Sequence, residues 1–147
     1  MSSVLSGLKI VAASKPHALP VVVRRRHKLI TRLNQQRELA NAKINDEVYL
    51  PKRLRSFIDK STGERYAKEV PVRIKSWWWI GEQGQVLLQV KYGSRVIEFF
   101  KGKSAIEIQS ENQICDVIDA LITAVNNGEF DAQLENLGKQ LRDGFKR

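Results

Sequence analysis

The sequence predicts an α+β fold: an antiparallel, curved β-sheet of about five or six strands, covered by carboxy-terminal helices and preceded by a basic helix. Three observations carry that expectation. Apolar residues recur at helical spacing between residues 20 and 45, change to a period of two from Val48 to Ile108, and return to helical spacing after Ser110. Turn residues punctuate the middle of the chain at short intervals, as hairpins require. With 147 residues, 42% of them hydrophobic, the chain can form one core and sits near the globular average, away from disordered and fibrous compositions.

In chain order, residues 1–19 read as a flexible, extended arm, rich in serine, without sustained periodicity and ending at Lys15-Pro16. Residues 20–47 read as a helix. Pro20 stands where a first turn tolerates proline, and Val22, Leu29, Leu33, Ala40 and Ile44 fall on one stripe. Residues 48–147 read as the sheet and its covering helices. Lys52 to Asp59 and Arg65 to Val70 flank Lys60-Ser61-Thr62-Gly63-Glu64 as a first hairpin, either a protruding basic wing or a solvated edge ribbon protected by lysines. Val70, Val72, Ile74, Trp78 and Ile80 then alternate with Pro71, Arg73, Lys75, Trp77 and Trp79. One face is apolar, and the other combines cations with rings. Gly93-Ser94 makes a two-residue turn that pairs Tyr92 with Arg95, Val90 with Ile97 and Leu88 with Phe99; Ser104 to Ile108 is the last strand. Ser110 and Gln113 form a capping-box pattern ahead of Ile114, Val117, Ile118, Leu121, Ile122 and Val125, a strong amphipathic stripe ending at Asn126-Asn127-Gly128. A final helix from Asp131 to Phe145 carries Leu134, Leu137, Leu141 and Phe145, closes with Lys146-Arg147, and either packs on the domain or joins a second copy in a homodimer.

Charge is polarised. Residues 1–80 hold 17 Lys plus Arg against 6 Asp plus Glu, whereas residues 81–147 hold 8 against 10. Clustered cations point to a polyanionic partner, because each one facing a phosphate adds affinity through counterion release. The candidate phosphate contacts are Arg24, Arg25, Arg26, Lys28 and Arg32 on the helix, Lys52, Arg53 and Arg55 in the first hairpin, and Arg73, Lys75 and Lys91 on the sheet. Trp77-Trp78-Trp79 cannot all face a core, since consecutive strand residues point to opposite sides. If the loop after Ile80 has three residues, Trp78 pairs with Leu88 and Trp77 and Trp79 face outwards; with four the assignment inverts. Outward rings beside cations suit base stacking, and packing under the basic helix is the competing role.

The segments Val86 to Tyr92, Arg95 to Phe100, Lys101-Gly102-Lys103, Ala105 to Ile108 and Ser110 to Leu121 resemble the strand-and-helix module of Pur-alpha, Whirly and transcriptional-coactivator single-strand-binding proteins. That resemblance implies a sheet face for single strands, formed here by Trp77, Trp79, Arg73, Lys75 and Lys91. The basic helix, the Trp-rich middle and the closing Gly144-Phe145-Lys146-Arg147 also resemble a family of small uncharacterised bacterial and phage proteins.

Other chemistries find little in the residues. One cysteine, Cys115, excludes an internal disulfide, and with His17 and His27 it cannot assemble a structural zinc site. No glycine loop, serine elbow or Cys-His pair is present, and the carboxylate pairs Asp59 with Glu64 and Glu98 with Glu107 are the nearest approach to a nuclease site. No catalytic residue, metal or cofactor is expected. The longest stretch without charge, Ala120 to Gly128, is far shorter than the roughly 18 to 20 residues of a membrane span. With no cation before Lys9 and no signal-like apolar run, a cytoplasmic location away from membranes is expected. Two functions compete: a non-catalytic, sequence-tolerant binder of nucleic acid, with single-stranded DNA or RNA favoured, and an interaction or inhibitory module for an acidic protein.

Overall fold

Pro20 caps a helix with φ −52° and ψ 148°, and the helix it opens, α1 (Val21–Ile44), ends at Asn45. Fixed proline geometry suits that entry. The computed structural model describes residues 4–15 and 19–145, with side chains as far as residue 143. Pro16, His17 and the closing Lys146 and Arg147 lie outside the described residues, as does the Phe145 side chain. Residues 4–15 are exposed throughout, and Val4–Gly7 winds into one 3₁₀ turn within the expected extended arm.

On α1 the buried stripe is Leu29, Leu33, Gln36 and Ala40. These positions follow steps of four, three and four, the repeat of one helix face. The expected stripe shifts accordingly: Val22 and Ile44 are exposed, and the polar Gln36 takes an inward position. Leu29, Leu33 and Ala40 join the same buried cluster as Trp78, Val86, Leu88, Val90, Tyr92, Ile97 and Ile108, closed on its far side by Ile114, Ile118, Leu121, Val125, Phe130 and Leu134. Each large side chain so buried contributes about 1.5 to 3 kcal/mol relative to exposure.

The α+β class holds, but the single sheet of five or six strands does not form. In its place stand a ribbon of β1 (Lys52–Ile58) and β2 (Arg65–Pro71), a sheet ordered β3 (Trp78–Ile80), β4 (Val86–Leu88), β7 (Ile106–Ile108), and a hairpin of β5 (Lys91–Tyr92) and β6 (Arg95–Val96). Two local events divide it. Between β2 and β3 the chain is held by a helix instead of a strand: Gln36 Nε2 donates to the Lys75 carbonyl at 2.9 Å, and Gln36 Oε1 accepts from the Trp77 amide at 2.9 Å. Those backbone groups are therefore unavailable to a ladder. Further on, residues 86–92 change partners at Gln89, whose amide donates to the Trp77 carbonyl, while the Ile97 amide donates to the Val90 carbonyl. Leu88 consequently pairs with Trp78 and Ile106, not with Phe99, whose amide donates to the Lys103 carbonyl and turns the chain away. The Tyr92 to Arg95 pairing is as expected.

Gly81 donates to the Gln85 carbonyl, leaving a three-residue loop, 82–84. Trp78 therefore pairs with Leu88 and is buried, Trp77 is half-buried, and Trp79 is 42% exposed. The register is the one expected to turn Trp77 and Trp79 outwards, but only Trp79 is exposed, and Trp77 packs against the core beside α1. The capping box does not form: Ser110 opens a 3₁₀ turn, Glu111–Gln113, without a side-chain cap, and α2 (Ile114–Asn126) starts from it. At its other end the Gly128 and Glu129 amides donate to the Val125 and Ala124 carbonyls, with Gly128 at φ 83°, a Schellman ending that favours glycine. In α3 (Asp131–Phe145), Leu134 is buried and Leu137 and Leu141 pack against the core, so its apolar face lies on the domain.

Candidate nucleic-acid interface

The two flanks of α1 have different electrostatic fates. Arg26 and Arg37 are eleven residues apart, three helical turns, and share the flank facing the acidic second half. Arg26 Nε donates to Asp131 Oδ1 at 2.9 Å and its Nη2 to Oδ2 of the same carboxylate, a bidentate pair; Arg37 Nε donates to Asp119 at 2.8 Å. Lys43 meets Glu111 at 3.5 Å. The Arg26 hydrogen bonds hold the Asp131 carboxyl below the usual carboxylate range. These cations fasten α1 to α2 and α3, and Arg26, a predicted phosphate contact, is committed to Asp131.

Arg24, Lys28 and Arg32 follow at four-residue steps along the other flank, which is lined by depressions without carboxylates. The first, of about 460 Å³, is formed by Arg24, Arg25, Lys28 and Arg142 with Val21, Tyr92, Gly138 and Leu141. Lys28 and Tyr92 are shared with the next, also about 460 Å³, where Lys28, Arg32, Arg73, Lys75 and Lys91 surround Trp77 and Gln36. Val72 and Arg73 are shared in turn with a third, of about 610 Å³, whose other cations are Arg53 and Arg55. The result is a continuous basic track from α3, along α1, to the base of the ribbon, bordered at Arg73 and Lys75 by a further depression of about 750 Å³ that also holds Asp46 and Glu47. Like charges so close repel one another, and a bound polyanion relieves that repulsion.

Local structure explains how this assembly arises. Val72 and Ile74 turn partly inward while Arg73 and Lys75 stay exposed, the period-two alternation persisting without a ladder. The Gln36 clamp then fixes Lys75 and Trp77 against α1. Lys28 Nζ lies 5.0 Å from the centre of the Tyr92 ring, a cation–π contact that holds the ammonium at the junction of two depressions.

Of the residues expected at a nucleic-acid site, Arg24, Arg25, Lys28, Arg32, Arg53, Arg55, Arg73, Lys75, Trp77 and Lys91 lie on this track. Arg26 is turned to Asp131. Lys52 sits on the opposite face of the ribbon from Arg53 and Arg55, by strand alternation. Trp79 pairs with Leu87 and lines none of the three depressions. Sequence reasoning missed Gln36, Tyr92 and Arg142. A glutamine on the apolar stripe between Leu33 and Ala40 was the available signal for the first, because a polar group there must find a buried partner.

Asp59 and Cys115 have structural surroundings. Asp59 accepts from the Ser61 amide at 2.8 Å and from its hydroxyl at 2.6 Å, bonds that lower its pKa and shape the hairpin turn. Burial pushes the Cys115 thiol up, and its Sγ lies 3.7 Å from the Arg37 carbonyl as donor. Among the described residues no group of three His, Cys, Asp or Glu side chains is placed to hold a metal, and no helix is long and apolar enough to cross a membrane.

No curated protein and no solved structure matches the chain, so the resemblance to single-strand-binding modules gains no support from known structures. Residues 1–134 match the model of a family of unknown function, DUF6641, and the chain belongs to that family.

Proposed function

We propose that the protein is a non-catalytic, sequence-tolerant nucleic-acid-binding protein, and that single-stranded DNA or RNA lies in the basic track. One observation carries this reading: three adjoining depressions are lined by cations from α1, the ribbon, the 72–77 segment, the β5–β6 hairpin and α3, with no carboxylate among the lining residues. Charge clustering in sequence could have been a solvated helix face. Cations gathered from distant parts of the chain around concave surface, beside a half-buried tryptophan, better suit a phosphate backbone with bases turned onto a ring. Guanidinium and ammonium groups are both present, which fits backbone contact.

Fluorescence anisotropy with a labelled, mixed-sequence single-stranded oligonucleotide tests the reading. If the five cations of the middle depression each neutralise one phosphate, log K falls against log salt with a slope of about −3.5. Between 50 and 300 mM salt that is a loss of roughly 500-fold. The double variant Arg32→Glu, Arg73→Glu is expected to abolish most binding and flatten the slope. Affinity indifferent to salt refutes the proposal. Partners recovered from cells that survive nuclease digestion would shift the assignment to an acidic protein bound by the same cations.

A further inference from the structure

The ribbon, expected from the sequence as a basic wing, also carries a pair of rings that the sequence did not single out. Its register pairs Arg55 with Lys68 and Phe57 with Tyr66, with Arg53 two residues before Arg55. Cross-strand partners share a face, so three cations and two rings project from the same side. The rings are stacked, with centroids 5.6 Å apart and planes 24° apart, and the Arg55 guanidinium lies 5.6 Å from the Phe57 centroid. No residue of the ribbon belongs to the buried core, and Tyr66 is 48% exposed. Core packing therefore does not account for a flat aromatic pair displayed among cations. Arg53 and Arg55 also line the depression that ends the basic track at Arg73.

We propose that this face is a base-stacking finger for the same strand: a single-stranded segment leaving the cleft past Arg73 lays a base against the Tyr66 and Phe57 rings, while Arg53, Arg55 and Lys68 hold the flanking phosphates. The inference rests on the single-strand reading of the cleft and extends it, assigning the stacking that Trp77 alone would otherwise supply. Base faces are accessible only where bases are unstacked from a duplex, so the chemistry selects single strands.

Two measurements test it. Tyr66→Ile removes the ring while keeping a side chain that favours strands, and is expected to weaken binding of a single-stranded oligonucleotide of about 16 residues by roughly tenfold, with an unchanged salt slope; Tyr66→Trp is expected to restore it. Photocrosslinking of the unaltered protein to a bromouracil-substituted strand, read by peptide mass, is expected to place an adduct on Tyr66 or Phe57, whether or not Tyr66→Ile folds. Full binding by Tyr66→Ile, or adducts confined to Trp77, overturns the finger while leaving the cleft in place. Failure of the unaltered protein to bind the oligonucleotide overturns both. Equal loss by Tyr66→Ile on duplex DNA overturns stacking in favour of a groove contact.

Discussion

Replacing Gln36 by methionine, which has nearly the same volume and no amide, isolates the contribution of one side chain to both fold and cleft. Gln36 is 2% exposed, and each of its two hydrogen bonds to the 75–77 backbone is 2.9 Å long. A hydrogen bond of this kind contributes about 0.5 to 1.5 kcal/mol net, and an orphaned buried partner costs about 1 to 3 kcal/mol. The Lys75 side chain is exposed and the adjoining depression is open to solvent, so water reaches part of what methionine leaves unpaired. The expected loss is therefore about 2 to 4 kcal/mol, a large fraction of the ~5 to 15 kcal/mol that holds a domain folded. For a chain of this size that corresponds to a melting temperature lower by roughly 5 to 15 °C. Urea denaturation followed by far-ultraviolet circular dichroism measures the free energy, and tryptophan emission, the sum over Trp77, Trp78 and Trp79, should shift to the red as Trp77 loses its place against α1. A loss below about 0.5 kcal/mol with unchanged emission would refute the claim that Gln36 holds this segment.

The remaining predictions use other parts of the fold. Leu33→Ala, at a position 1% exposed, is expected to cost about 2 to 5 kcal/mol in urea denaturation through the cavity it leaves. Trp78→Ala, at a buried ring, is expected to cost about 3 to 5 kcal/mol, whereas Trp79→Ala, 42% exposed, is expected to stay within about 0.5 kcal/mol. Gly128→Ala forces a side chain into φ 83° and sets a methyl 3.1 Å from the Arg26 guanidinium; a loss of about 1 to 2 kcal/mol in the same assay is expected. The Arg26 hydrogen bonds depress the folded pKa of Asp131, so their stabilisation is present above the ordinary aspartate value and is lost as pH falls through the lower folded value. Acid titration of stability should accordingly show a shallower decline for Asp131→Asn in that window, measured by denaturation at successive pH values.

Periodicity and turn chemistry were enough for most features whose determinants are local, the capping box at Ser110 being the exception. Proline geometry at Pro20, the stripe from Ile114 to Val125, the glycine after Asn127 and the two-residue turn at Gly93-Ser94 each act over a few residues, and each appears where the sequence places it. Polarised charge likewise belongs to the sequence itself. Pairing partners, by contrast, depend on which backbone groups remain free once neighbours have docked. One glutamine, thirty-nine residues from Lys75, removes a stretch of alternating residues from the sheet, and no local pattern specifies that. The fate of each cation was decided in the same way. Arg24 and Arg26 are equivalent as sequence, two residues apart in one basic run, yet Arg26 meets Asp131 while Arg24 borders the track. Helix rotation sets this, because a step of two residues turns a side chain to a different flank, and only packing against α2 and α3 determines which flank finds carboxylates. Sequence alone determined the helices, the first hairpin and the excess of positive charge; tertiary structure decided the extent of the later strands, the division of the sheet and which charges remain beside open surface, because these depend on contacts between residues far apart in the chain.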